Sequence, residues 1–280
     1  MELTPAGAVA VPCIVFVLGT MVGSFLNVCT FRIPRRESIV MPGSRCMNCE
    51  TPIPWYHNIP IISYLVLRGR CRNCMARFSP RYFFVELGVG ILFLATYLRF
   101  GLTPALPVYM AVLSTLVVVT IIDMERYIIP GSITTAGIVA GLLTAMCASI
   151  SGQDGGLLVT SLRESLIGMV AGGGLLWAVD QCAVHIMKKP GMGGGDVRLL
   201  AMLGTFLGWR QVIVIVFLAS LSGAIVGIPV VMRRRRSESD QISHYIPFGP
   251  FLAIGGALAI FFGQDLLDAW QSWIIVTPRY

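Results

Sequence analysis

The chain has 280 residues, of which 55% are hydrophobic and 12% charged, with a mean hydropathy of +0.77. Soluble domains carry about 25% charged residues, so a water-soluble globular fold is excluded. The expected class is an all-α polytopic membrane protein with one small polar region, and the placement of the +7 formal charge decides what that charge is for.

The first apolar run has only Glu2 as a charge ahead of it and basic residues behind it, the reverse of a cleavable leader. It is read as a retained span with its N-terminus on the outer side. Crossing a bilayer takes about 20 apolar residues. Segments of that kind fall at roughly 8–28, 83–98, 104–122, 132–150, 164–186, 197–209, 211–231 and 248–263, which predicts about eight transmembrane helices. Residues 151–156 form an outer loop. With this orientation 17 of the 21 Lys and Arg, including the run Arg233 to Arg236, lie on inner segments, as the positive-inside rule requires. The charge is thus a topology signal, making membrane lipid an expected partner and nucleic acid not one. The expected division is a first span in 1–29, a polar inner loop in 30–82 and a membrane domain in 83–280.

The loop carries Pro34, Pro42, Pro52, Pro54, Pro60 and Pro80 and little helical periodicity. A segment of about 50 residues buries too little to hold itself and needs a staple. Cys46, Cys49, Cys71 and Cys74 supply one, as two CxxC pairs with 21 residues between them, against about 15–20 in the usual zinc pattern. Four thiolates make a closed tetrahedral site, structural rather than catalytic. Disulfides are the other reading, and a reducing inner compartment favours zinc. No internal repeat is expected. Cys13, Cys29, Cys147 and Cys182 lie in or beside spans and read as packing residues.

An Asp at the centre of a membrane helix costs about 3 kcal/mol, so intramembrane acids are candidates for function. Asp123 falls at the inner end of the third segment. Asp196 opens the sixth, behind Gly191-Met192-Gly193-Gly194-Gly195, where missing side chains let another backbone approach. A plain N-cap is the alternative for Asp196, and a second carboxylate on the same side of the membrane argues against it. Facing each other, the two would hold one proton between them. One carboxylate then takes a proton from water while its protonated partner polarises a scissile carbonyl. Asp180 in the fifth segment and Glu86 in the second are rival acids; Asp180 either bonds across helices or lines a polar cavity. His57, His185 and His244 are scattered and read as surface, packed or interface residues. Gly137 with Gly141, Gly168 with Gly172 to Gly174, and Gly255 with Gly256 read as helix-packing positions.

These residues resemble a known family, the type IV prepilin peptidases, which are intramembrane aspartic proteases of the GxGD type. Gly193-Gly194-Gly195-Asp196 is similar to the GxGD motif within the longer GMGxGD signature, and Asp123 in Ile121-Ile122-Asp123 to the first catalytic aspartate. Gly23-Ser24-Phe25-Leu26-Asn27-Val28, Asn58-Ile59-Pro60, the four loop cysteines, Arg81-Tyr82 with Glu86, and Pro247-Phe248-Gly249-Pro250 resemble further family motifs in order. The resemblance implies catalytic roles for Asp123 and Asp196 in a loop shaped by Gly193 and Gly195. It also implies a multi-pass enzyme of the bacterial inner membrane with a periplasmic N-terminus. Its partners would be prepilins or type II secretion pseudopilins, cleaved at the cytoplasmic face. Members with the cysteine loop are typically bifunctional and methylate the new N-terminus with S-adenosylmethionine, and the resemblance alone implies that activity here. It implies no oligomeric state. The chain departs from the family pattern at Gly131 (often acidic), Arg198 (usually Lys) and Pro190 (often acidic). Two other classes remain: a proton- or cation-coupled transporter using Asp123, Asp180 and Asp196, and a structural subunit of a secretion machine.

Overall fold

The computed structural model describes residues 5–152, 155–188, 192–234 and 247–276, and they are helical with no strands among them. The helices are α1 Pro5–Arg32, α2 Ile62–Val66, α3 Arg81–Phe100, α4 Ala105–Arg126, α5 Gly131–Ser151, α6 Leu162–Met187, α7 Gly194–Arg234 and α8 Gly249–Val276. All but the five-residue α2 are long and apolar enough to cross a membrane, giving seven such helices among the described residues. The expected count of eight differs because 197–209 and 211–231 both fall in α7, which breaks at Gly208 (φ 80°, ψ 167°). A straight 41-residue helix would run about 60 Å, twice the hydrocarbon thickness. The break occurs in a backbone region essentially reserved for glycine. Gln153, Asp154, Lys189, Pro190, Gly191, Arg235, Arg236, His244 and Arg279, which entered the sequence reading, lie outside the described residues.

Helix ends follow local chemistry. Ser161 caps α6 by accepting the Glu164 N–H, with Glu164 in the first turn, a pairing of a capping hydroxyl with an acid three residues on. Gly101 and Gly152 close α3 and α5 with positive φ. Tyr127 (φ 57°) closes α4 beside Asp123, whose carbonyl accepts its N–H.

The chain forms two compact units, Met1–Val118 and Val119–Tyr280, divided within α4. In the first, α1 packs against α3 at Gly19, Gly23 and Gly90. A Cβ at Gly23 would come 2.8 Å from the Glu86 Cα, so the helices touch backbone to backbone. In the second, α7 is central and packs on α5, α6 and α8. The space for a Cβ at Gly168 is taken by the Gly204 carbonyl, at Gly172 by that of Leu200 and at Gly255 by that of Ile215, while Met202 fills that at Gly137 and Thr205 that at Gly141. Most of the expected packing glycines therefore pack; Gly174 faces open space. The Ser165 hydroxyl donates to the Thr205 carbonyl at 2.9 Å, a polar tie between α6 and α7 of the kind membrane helices use. Leu199, Leu200, Leu203, Ile215 and Leu252 are fully buried around α7.

Candidate active site and metal centre

In the second unit, three helix ends and the turn before α5 meet around two carboxylates. Asp123 lies in the last turn of α4 and is 5% exposed; Asp196 lies in the first turn of α7 and is 4% exposed. The two carboxylates lie close enough to interact. The Gly249 N–H at the start of α8 donates to the Asp123 carboxylate. A Cβ at Gly249 would fall 2.5 Å from Asp123 Oδ2 and 3.0 Å from Ile129 Cδ1, and one at Gly195 2.7 Å from Ile129 Cβ. Ile129 thus wedges between the two glycines, each bare because its neighbour comes so close. The Asp196 N–H donates to the Gly193 carbonyl at 3.0 Å, and the Gly193 N–H reaches the Asp196 carboxylate. Asp196 Oδ1 is buried with no hydrogen-bond partner among the described residues. A buried carboxylate oxygen in that state is costly and is free to take a water or a substrate group.

The structure thus brings together Asp123, Asp196, Gly193 and Gly195. Asp180 resolves as an anchor: its Oδ1 accepts the Met192 N–H at 3.0 Å, tying α6 to the glycine stretch that presents Asp196. The bond joins α6 to the loop before α7 rather than to another helix. The Arg198 guanidinium occupies the space a side chain at Gly131 would need, so the two departures from the family pattern are neighbours and complementary in size. Glu86 belongs to the other unit, where it accepts the Ile61 N–H at 2.7 Å and the Ser24 hydroxyl. His57 lies 3.1 Å from the Arg72 guanidinium and His185 is exposed.

The loop cysteines converge in the first unit. Their four sulfurs lie within 4.8 Å of one another, with Cys46···Cys74 at 3.7 Å and Cys49···Cys71 at 4.0 Å, and all are free thiols. Zn–S bonds of about 2.3 Å in a tetrahedron place sulfurs about 3.8 Å apart, so the donor set fits a tetrahedral metal rather than disulfides. Of the other cysteines only Cys29 is buried. Contrary to the expectation of no repeat, the site is built from two copies of one knuckle, Arg45-Cys46-Met47-Asn48-Cys49 and Arg70-Cys71-Arg72-Asn73-Cys74. In each, the first cysteine N–H pairs with a carbonyl five residues on (Thr51, Ala76), and Glu50 or Met75 adopts positive φ to close the turn. The asparagines cross over: the Asn48 amide donates to Cys74 Sγ at 3.6 Å and the Asn73 amide to Cys49 Sγ at 3.8 Å. Such outer contacts orient metal ligands and tune their basicity. The sequence reading missed both asparagines, although the RCxNC repeat was the signal. Thr51, through hydroxyl and N–H, holds Cys49 down at about 6, and the Cys74 and Asn73 N–H groups lower Cys71. Cys46 stands at about 11: the Cys49 N–H favours its thiolate, but desolvation and the neighbouring thiols outweigh it.

Comparison with known proteins completes the assignment. Residues 110–228 match the model of the type IV leader peptidase family, and residues 17–100 match that of the bacterial peptidase A24 N-terminal domain. The chain is 40% identical over 222 residues to a prepilin leader peptidase/N-methyltransferase of Myxococcus xanthus, a match spanning 79% of this chain and 64% of that protein. It is 36% identical to a protein of the same name from Aeromonas hydrophila over 92% of both chains, and 34% identical to one from Aeromonas salmonicida over 94% of both. No solved structure matches. With family models across most of its length and relatives aligned nearly end to end, the chain belongs to the type IV leader peptidase family.

Proposed function

We propose that this chain is an intramembrane aspartic endopeptidase. It removes the leader peptide from type IV prepilins or type II secretion pseudopilins and also N-methylates the new N-terminus. The observation that carries the peptidase reading is the buried pair Asp123 and Asp196, with Asp196 Oδ1 unpartnered. The pair holds one proton between its carboxylates. The ionised partner takes a proton from an attacking water while the protonated partner donates to the scissile carbonyl oxygen, giving a tetrahedral intermediate. Return of a proton to the leaving amine completes hydrolysis without a covalent intermediate. The Gly249 N–H on Asp123 and the Gly193 N–H on Asp196 hold the carboxylates in place, and the Met192–Asp180 bond fixes the loop that precedes Asp196. Residues 83–280 supply this membrane domain. A transporter reading has no support from the family or from the relatives' names.

The four cysteines hold zinc as a structural ion that fixes the fold of 30–82, with Asn48 and Asn73 orienting Cys74 and Cys49. S-adenosylmethionine is the methyl donor of the second activity. The protein sits in the bacterial inner membrane with a periplasmic N-terminus, and cleavage falls at the cytoplasmic face; the positive-inside distribution of Lys and Arg supports that side for both aspartates.

The test is cleavage of purified prepilin and pseudopilin precursors in the presence of S-adenosylmethionine, read by product mass. Loss of a leader plus one methyl is expected from wild type. Asp123→Asn and Asp196→Asn are each expected to lower cleavage at least about 10³-fold while retaining zinc and fold. Substantial cleavage by either variant removes the pair from the mechanism.

A further inference from the structure

The short helix α2 carries an apolar face that no described residue of its own unit covers. Ile62, Leu65 and Val66 are 57%, 59% and 73% exposed, and their i, i+3, i+4 spacing puts them on one side of the helix. The opposite side is docked on α3. Ile61 donates its N–H to Glu86 Oε2 at 2.7 Å, and the Tyr64 ring lies 5.7 Å from that of Phe83. Glu86 is five residues past Arg81, where α3 begins, so at 1.5 Å per residue α2 is tied about 7.5 Å along a membrane-spanning helix. Interfacial helices bury their apolar faces about 5–10 Å into the headgroup boundary. Phe84, in the first turn of α3, is 65% exposed, so the helix that carries α2 also presents an aromatic surface at this end.

The charge around α2 is one-sided. Residues 30–82 contain nine arginines and two glutamates. Arg68, Arg72 and Arg77 are exposed just beyond α2. Trp55, 80% exposed on the 3-10 turn Trp55–His57 that precedes it, is of the residue type that collects at membrane interfaces. Basic residues near an anionic leaflet add binding energy roughly one by one, and apolar anchors beside them set depth.

We propose that α2 is an interfacial membrane helix. Its Ile62, Leu65 and Val66 face enters the headgroup boundary of an anionic bilayer, with the surrounding arginines on lipid phosphates, and this lays the cysteine module flat on the membrane. Glu86 is the strut that sets its depth. The assignment rests on the membrane reading of the chain and is independent of the peptidase chemistry.

The test uses the full-length, zinc-loaded protein in nanodiscs of phosphatidylcholine alone or with phosphatidylglycerol. A Leu65→Trp substitution on the exposed face reports depth through the emission it adds over wild type. In phosphatidylglycerol discs, brominated lipid is expected to remove most of the added emission and aqueous acrylamide little of it, with weaker lipid quenching in phosphatidylcholine alone. Val66→Glu in the same background is expected to reverse the pattern while leaving bound zinc at one per chain. Full acrylamide quenching without lipid quenching overturns the proposal. Equal lipid quenching in both discs overturns the anionic-surface assignment. Shielding that appears only when a prepilin peptide is added overturns it in favour of a precursor-docking face.

Discussion

Asp180, half-buried on α6, accepts a hydrogen bond from the backbone N–H of Met192, twelve residues away. A hydrogen bond to a charged acceptor contributes about 1.5–3 kcal/mol, and here that energy holds the strand of glycines leading to Asp196. Asp180→Ala is therefore expected to lower kcat for precursor cleavage about 10–100-fold with KM little changed. Asp180→Asn, which keeps an acceptor oxygen for Met192, is expected to recover most of the loss; equal defects in both variants would mean that the charge, and not the loop anchor, matters. The two buried carboxylates of the candidate site were legible in the sequence because an acid in apolar surroundings is rare and costly. The partner of Asp180 was not, because periodicity says nothing about which turn of chain folds back onto a helix. Asn48 and Asn73 lay between those cases: their RCxNC repeat is written in the sequence, but the crossing of each amide to the opposite knuckle's sulfur exists only once the knuckles face each other.

At the scale of elements, hydropathy placed every spanning helix, since a membrane segment must be continuous and apolar to satisfy its own backbone. It could not say that the sixth and seventh segments join at one residue. That joint is Gly208, held at φ 80° and ψ 167° with Val159 Cγ2 3.2 Å from where a Cβ would stand. A side chain there forces a backbone conformation costing about 1–3 kcal/mol, so Gly208→Ala is expected to lower the thermal midpoint in detergent. Gly174→Ala, on α6 with open space around it, is expected to be neutral or stabilising by up to about 1 kcal/mol. Melting curves of the two variants separate a strained joint from a general intolerance of membrane helices to lost glycines. A similar midpoint for Gly208→Ala and wild type would mean that the break relaxes without cost.

At the scale of the whole molecule, each unit contains its own candidate site: both aspartates and the groups that hold them lie within 119–280, and all four clustered cysteines within 1–118. Loss of zinc is thus expected to open the cysteine module to protease and to abolish methylation while leaving precursor cleavage largely intact; Asp123→Asn is expected to do the opposite, stopping cleavage at full zinc content. Zinc binding by the four cysteines is also expected to depend on pH. Thiol protons compete with metal, each displaced proton making the apparent affinity about tenfold weaker per pH unit of acidification. With Cys49 near 6 and Cys46 near 11, the Cys46 proton must be displaced throughout the neutral range, so zinc affinity is expected to rise from pH 6 to pH 9. Below about 6 the Cys49 proton must be displaced too, and affinity falls more steeply. Competition against a chromophoric chelator across that range checks the sign. An affinity independent of pH would move the metal off the thiols, and loss of cleavage in step with zinc would show that the two units work as one.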